Sequence, residues 1–296
     1  MSVNKEDRKD AIGIAFSGGG LQGIAHIGAI TALYELGIRP QYVSGTSSGS
    51  AMAAIVAMGF EPDEMKEVIK KHWKTLANID NLLIFKSLAH LIVNKKCKND
   101  GIKSGKIISD VFKSVMQEKG ITGFKDLPIN LSVCTVDTHT TDECIFTTEE
   151  ENLVNDHIHY ISDAPLEIAV RASMSFPALY TTCSYKNYNF IDGGSKDNLP
   201  VKVLKDMGVG KVLAIGFDIM SYNPNVGLDG LIKVIWRALD VYSIDGTRES
   251  MKMADYCVQI LNKNTQIFSM GSFDDTIQEG YDAIMAHKEE ILKIFT

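Results

Sequence analysis

The chain has 296 residues, 45% of them hydrophobic and 23% charged, with a net charge of −7. Such proportions are ordinary for a globular protein with a substantial core, and an acidic balance without a basic run excludes a nucleic-acid footprint. No apolar stretch is long enough to span a bilayer, and residues 1–10 are charged and lack the apolar segment of a secretory signal, so a cytoplasmic protein is expected.

In chain order, residues 11–16 form a short apolar run bounded by glycine, the pattern of a buried strand. The loop Ser17-Gly18-Gly19-Gly20-Leu21-Gln22-Gly23 follows, then a helix rich in small residues over 24–36, closed by Gly37. Residues 41–44 predict a second strand and 50–58 a buried helix, so the first sixty residues make one right-handed β-α-β-α unit. Helices are expected at 62–74, 81–93 and 104–119. Strands at 131–136 and 143–147 flank a polar turn. A short helix at 165–172, strands at 188–191 and 211–217, and helices at 227–244 and 277–295 complete the chain. Nothing marks a linker or a repeat, so a single domain over 1–296 is the simpler reading, with a motif-bearing core at about 12–217 and a helical part at about 227–296. The five cysteines, Cys97, Cys134, Cys144, Cys183 and Cys257, contain no C-x-x-C and read as free thiols of a reducing compartment.

The chemistry concentrates where the second strand meets its helix. Gly45-Thr46-Ser47-Ser48-Gly49 is a G-x-S-x-G in strand–turn–helix context, which is what a nucleophile elbow needs. Gly45 and Gly49 let strand and helix approach closely, and the helix N-terminus aims free N–H groups at the serine oxygen. Without that context the same pattern is a plain turn.

Gly18 to Gly23 also fits G-x-G-x-x-G, and two readings compete for it. A dinucleotide fingerprint and an oxyanion hole share one physical basis, anion stabilisation by free backbone donors. The fingerprint wants an acidic residue at the end of the second strand, and here that strand ends in Ser44-Gly45-Thr46-Ser47. Two adjacent parallel strands would bring the glycine loop and Ser47 to one sheet edge, which favours the oxyanion hole. A nucleotide-binding protein is the reading left over.

A serine nucleophile needs a base. Of the seven histidines, His26 reads as core packing, His72, His90 and His287 fall on helices, and His139, His157 and His159 lie in polar stretches. None follows a strand end with a tight turn. Asp192 does, directly after the strand at 188–191 and before Gly193-Gly194. Its alternative is the Asp-Gly turn of a hairpin. Nothing at ligand spacing suggests a metal, and no cofactor is expected.

Three pieces together, Gly18-Gly19-Gly20-Leu21-Gln22-Gly23, Gly45-Thr46-Ser47-Ser48-Gly49 and Asp192-Gly193-Gly194, resemble the patatin-like phospholipase family. Gly23 to Gly28, Ala172-Ser173 with Phe176-Pro177, and Asn198-Leu199-Pro200-Val201 support the match, which covers roughly 12–217. The resemblance implies a three-layer α/β/α sandwich with a mostly parallel central sheet. It also implies a serine acyl hydrolase acting on lipid or phospholipid esters, with Ser47 as nucleophile, Asp192 as general base, and Gly18, Gly19 and Gly20 as oxyanion hole. Gln22 stands where the family usually has Arg or Lys, which removes a positive charge near the developing oxyanion. That departure motivates the alternative, a non-catalytic lipid-binding member of the fold. The apolar run through Leu83, Phe85 and Leu91 is a candidate for the acyl groove or for peripheral membrane contact, with an ordinary core helix as its plainer reading. Oligomeric state is left open.

Overall fold

A computed structural model describes residues 8–77, 100–149, 157–218, 231–263, 265 and 271–296. The strands are β1 (Ile12–Phe16), β2 (Tyr42–Thr46), β3 (Gly101–Lys103), β4 (Asn130–Asp137), β5 (Glu143–Thr147), β6 (Ile158–Ile161), β7 (Ala178–Tyr180), β8 (Cys183–Tyr185), β9 (Tyr188–Asp192), β10 (Lys211–Phe217) and β11 (Tyr256–Ile260). The helices are α1 (Ala25–Glu35), α2 (Ser48–Ala57), α3 (Pro62–Ala77), α4 (Lys106–Glu118), α5 (Leu166–Ser173), α6 (Val201–Asp206), α7 (Leu231–Met253), α8 (Phe273–Ala286) and α9 (Lys288–Phe295).

The main sheet runs β11-β10-β1-β2-β4-β5-β6, and its first five strands are parallel. Both faces are covered, which is why the central strands read as unbroken apolar runs rather than alternating ones. On β1, Ile14 and Phe16 enter one apolar cluster while Ala15 between them enters the other. On β10, Leu213 and Ile215 face the first cluster and Val212 and Ala214 the second. Ile30 and Leu33 of α1, Ile55 of α2, Phe112 of α4 and Val170 of α5 fill the first layer, and Val203 and Leu204 of α6 the second. The result is the expected three-layer α/β/α architecture around a mostly parallel sheet.

The register of β4 is what positions the site. Its lower half, Asn130 to Cys134, pairs in parallel with β2. Its last residues, Thr135 to Asp137, pair antiparallel with β9. Strand β5 overlaps both stretches, pairing Ser132 through Val136, so it must occupy the opposite edge of β4. Therefore β2 and β9 share one lane beside β4 and meet end to end. The chain leaves β2 just after Thr46, opposite Cys134, and β9 ends at Asp192, opposite Thr135.

Helices α1 and α8 touch backbone to backbone. A Cβ on Gly28 would stand 1.8 Å from the Ile277 carbonyl oxygen, and one on Gly280 1.8 Å from that of Ala25. The C-terminal part thus packs on the helix behind the glycine loop, and β11 extends the sheet from the same side of the chain.

Several elements differ from the sequence expectation. The second strand continues to Thr46, and α7 (Leu231–Met253) runs past the expected end at 244, while the expected start at 227 lies outside the described residues. The helix expected at 277–295 is two helices separated at His287, whose φ of −111° and ψ of 18° leave the helical region. Strands β3, β6, β7, β8 and β11 carry no sequence signal strong enough to be read. Three of them, β3, β7 and β8, are three residues long, and β11 interleaves exposed Gln259 among apolar residues. The helix expected over 81–93, with Leu83, Phe85 and Leu91, lies outside the described residues.

Candidate active site

Ser47 occupies the turn between β2 and α2 with φ 53° and ψ −125°, a backbone conformation that side-chain-bearing residues rarely hold. Close packing enforces it. A Cβ on Gly45 would lie 2.2 Å from the Gly49 carbonyl oxygen, and one on Gly49 2.3 Å from that of Phe16. The two glycines that bracket the serine are therefore the condition for strand β2, helix α2 and the end of β1 to meet. The Ser47 N–H donates to Ser173 Oγ at 2.9 Å, and Ser173 Oγ donates to the Cys134 carbonyl at 2.7 Å. Ser50 Oγ donates to the Ser47 carbonyl at 2.6 Å. The strained residue is thus tied on both sides.

Asp192 ends β9 and caps the short turn at Gly193–Ser195. Its Oδ1 accepts from the Gly194 N–H at 2.9 Å. The hairpin that precedes it is closed by residues 186–187 between β8 and β9, so Asp192-Gly193 is not a hairpin turn. The side chain is 3% exposed, and Ser47 is 8% exposed. Burial lifts the Asp192 pKa from 3.8 to about 6, against the pull of the Gly194 N–H and then of the Ser47 hydroxyl. The serine is thus near enough to act on the carboxylate electrostatically. Yet Oδ2 is a buried oxygen with no hydrogen-bond partner among the described residues.

Ser47 and Asp192 line one cleft, together with Phe176, Asn198, Leu239 and Ser243. The glycine loop abuts it: a Cβ on Gly18 would stand 3.1 Å from Ser47 Cβ. The three loop glycines are not equivalent. The Gly18 N–H donates to the Asn198 carbonyl at 3.0 Å, and the Gly19 N–H to Ser48 Oγ at 3.1 Å. The Gly20 N–H, at a φ of 59°, has no acceptor among the described residues. Gly23 packs on Ser48, and Gly193 on the Cys134 backbone, so these motif glycines serve close approach. The Gln22 carboxamide donates to the Thr265 carbonyl at 3.4 Å, a neutral partner for a neutral side chain.

Ser173, Asn198 and Ser48 are site residues that the sequence reading did not assign. The first two lie inside the stretches that carried the family resemblance, and Ser48 is the fourth residue of the G-x-S-x-G itself. Asn198 also holds the loop from its side chain, with Nδ2 donating to the Gly18 carbonyl at 3.4 Å. No histidine lines the cleft among the described residues. His26 is fully buried between Phe16 and Phe217, and its Nε2 pairs with the Ser17 carbonyl oxygen at 3.1 Å. Burial depresses its pKa to about 4 against the pull of that carbonyl, so the ring is a neutral brace beneath the glycine loop. His157 and His159 sit at the surface around Asp142.

Below Thr46 the fold gathers donors that linear spacing hides. Ligand atoms of Cys134, Glu143 and Asp197 lie within 4.8 Å of one another. Burial raises the pKa of both carboxyl groups, and the Glu143 charge lifts that of Asp197 further, so the pair resists double ionisation. Cys134, Cys144 and Cys183 are buried free thiols, and Cys257 is a partly buried one.

The family model described as patatin-like phospholipase matches residues 14–205. Among curated proteins, lysophospholipase NTE1 of Meyerozyma guilliermondii is 25% identical over 223 residues, covering 73% of this chain. The chain spans 14% of that protein's length. Patatin-like phospholipase domain-containing protein 7 of Rattus norvegicus is 24% identical over 299 residues, covering 92% of this chain and 20% of that protein. Among solved structures, VipD from Legionella pneumophila aligns with a TM-score of 0.48 and 15% identity, over 95% of this chain and 67% of that one.

Proposed function

The chain belongs to the patatin-like phospholipase family, and on that premise we propose that it hydrolyses acyl esters of lipids, with Ser47 as nucleophile and Asp192 as general base. One observation carries the reading: a buried carboxylate with an unpartnered oxygen shares a cleft with a serine on a strained strand-to-helix turn. A pKa of about 6 makes this carboxylate a better base than an exposed one, while leaving it ionised at neutral pH.

Asp192 takes the hydroxyl proton as Ser47 Oγ bonds to the acyl carbon, and the carbonyl electron pair moves onto oxygen. The Gly20 N–H faces that oxyanion. The Gly19 N–H joins it once the Ser48 hydroxyl rotates away, and the Gly18 N–H stays with Asn198 as the anchor of the loop. One such donor contributes on the order of a hundredfold in rate. Collapse breaks the bond to the leaving alcohol, which takes the proton from Asp192. A water then gives its proton to Asp192 and attacks the acyl-serine; the acid leaves and Ser47 Oγ regains the proton. None of these steps requires a metal, so turnover is expected to survive calcium chelation.

Hydrolysis of a short p-nitrophenyl ester by wild type, Ser47→Ala and Asp192→Asn tests the reading. Loss of turnover in both folded variants is expected, and retained turnover in either refutes its role. The second reading, a lipid-binding protein without turnover, draws on the neutral Gln22 beside the glycine loop. Labelling of Ser47 by a fluorophosphonate separates the two, since a binding protein with an inert serine leaves the probe unreacted.

A further inference from the structure

Helix α7 carries the most exposed apolar side chains of the described residues. Val234 is 45% exposed, Val241 61% and Tyr242 83%. Spacings of seven and eight residues put these on one side of a helix, with exposed Ala238 between them. The stripe stops one turn later at the Asp245–Arg248 ion pair, 3.0 Å apart. On the flank turned toward the molecule, Leu239 and Ser243 line the cleft that holds Ser47 and Asp192. The apolar stripe is therefore the outer rim of the candidate active site.

We propose that this stripe seats the protein on the surface of an electrically neutral phospholipid bilayer, so that the cleft opens at the level of the acyl esters. The proposal rests on the acyl-hydrolase reading for the reason to be there, but its physical basis is separate. Exposed Val and Tyr gain by leaving water, and tyrosine suits the boundary between headgroup and acyl chain. Between Val234 and Glu249 the exposed charged residues described on this side of the helix, Arg237, Asp245, Arg248 and Glu249, carry two charges of each sign, so the face itself is electrically balanced and suits a zwitterionic leaflet rather than an anionic one. No helix of the described residues is long and apolar enough to cross a membrane, so on this helix the contact is made by a face and not by a span.

The test uses the full chain and phosphatidylcholine vesicles. Sedimentation with vesicles is compared for wild type, for the Val241→Asp, Tyr242→Asp double variant, and for the milder Tyr242→Ala. The charged variant should bind about tenfold more weakly or worse, with Tyr242→Ala intermediate and with little dependence on salt. Hydrolysis of vesicle-borne ester should fall in step, while hydrolysis of a soluble short ester stays at the wild-type level. Unchanged vesicle binding by either folded variant overturns the proposal. So does a wild-type dimer that ignores vesicles and that the variants break, because the face then belongs to a second copy of the chain. If no ester is hydrolysed but binding still depends on Tyr242, the docking face stands and the catalytic reading fails.

Discussion

Replacing Asp192 with asparagine should stabilise the folded chain at neutral pH while abolishing ester hydrolysis. The carboxyl group is buried with one oxygen unpartnered, and its pKa is about 6 against an ordinary 3.8. A folded pKa above the unfolded one means that the native state holds the proton more tightly. The stabilising contribution is fully present below about pH 3.8 and is lost as pH rises through about 6. A difference of about 2 in pKa corresponds to about 3 kcal/mol, so the ionised carboxylate lowers native stability by that amount at pH 8. Asparagine keeps the shape, can still accept from the Gly194 N–H, and cannot ionise. For a chain of this size about 2 °C accompanies each kcal/mol, so the variant should melt about 6 °C higher at pH 8. At pH 4.5 the linkage leaves a difference of only about 1 kcal/mol. Thermal unfolding of both proteins at the two pH values is the assay. Equal differences at both, or a variant less stable at pH 8, would refute the idea that an uncompensated charge is stored at this position.

Ser47→Gly should remove activity yet raise the urea midpoint, because glycine holds the φ of 53° without strain; the net gain is about 1 kcal/mol after its extra chain entropy. Ser173→Ala leaves the Ser47 N–H and the Cys134 carbonyl without their shared partner, and should cost about 3 kcal/mol in denaturant unfolding together with a fall in kcat at little change in KM. His26, with a pKa of about 4, should show no titration by NMR between pH 5 and 8. Its folded pKa lies below the unfolded one, so its contribution to stability, about 3 kcal/mol, is present above pH 6.5 and lost as pH falls through about 4.

The parts of this molecule that can be read from sequence are those whose cause is local. Residues 11–16 and 211–217 announce themselves as buried strands because helices cover both faces of the sheet. Ser47 is legible because its turn requires glycine on both sides, and the residue types themselves record the crowding. Asp192 is half legible. Its position at a strand end before paired glycines is visible in the sequence, but its strand runs antiparallel and reaches the edge from above, which only the pairing with β4 reveals. Ser173 and Asn198 act through partners far along the chain, Ser47 and Gly18, so nothing beside them in sequence states their task. The Cys134, Glu143 and Asp197 group is likewise assembled by the fold from three separate elements. The differing status of Gly18, Gly19 and Gly20 could not be read at all, since it depends on which carbonyl or hydroxyl each amide meets.

Because β2 and β9 terminate against neighbouring residues of β4, Cys134 and Thr135, that strand works as a gauge block for the reacting pair. The gap between hydroxyl and carboxylate is fixed by one step along a hydrogen-bonded backbone, and not by the length of chain that separates them in sequence. Surface loops between the elbow and the aspartate can grow, shrink or be exchanged without moving either group, provided that α2 and the Ser173-bearing α5 keep their places against Ser47. Conversely, one residue added within β4 between those two positions would part them by a full strand step, although it touches neither side chain.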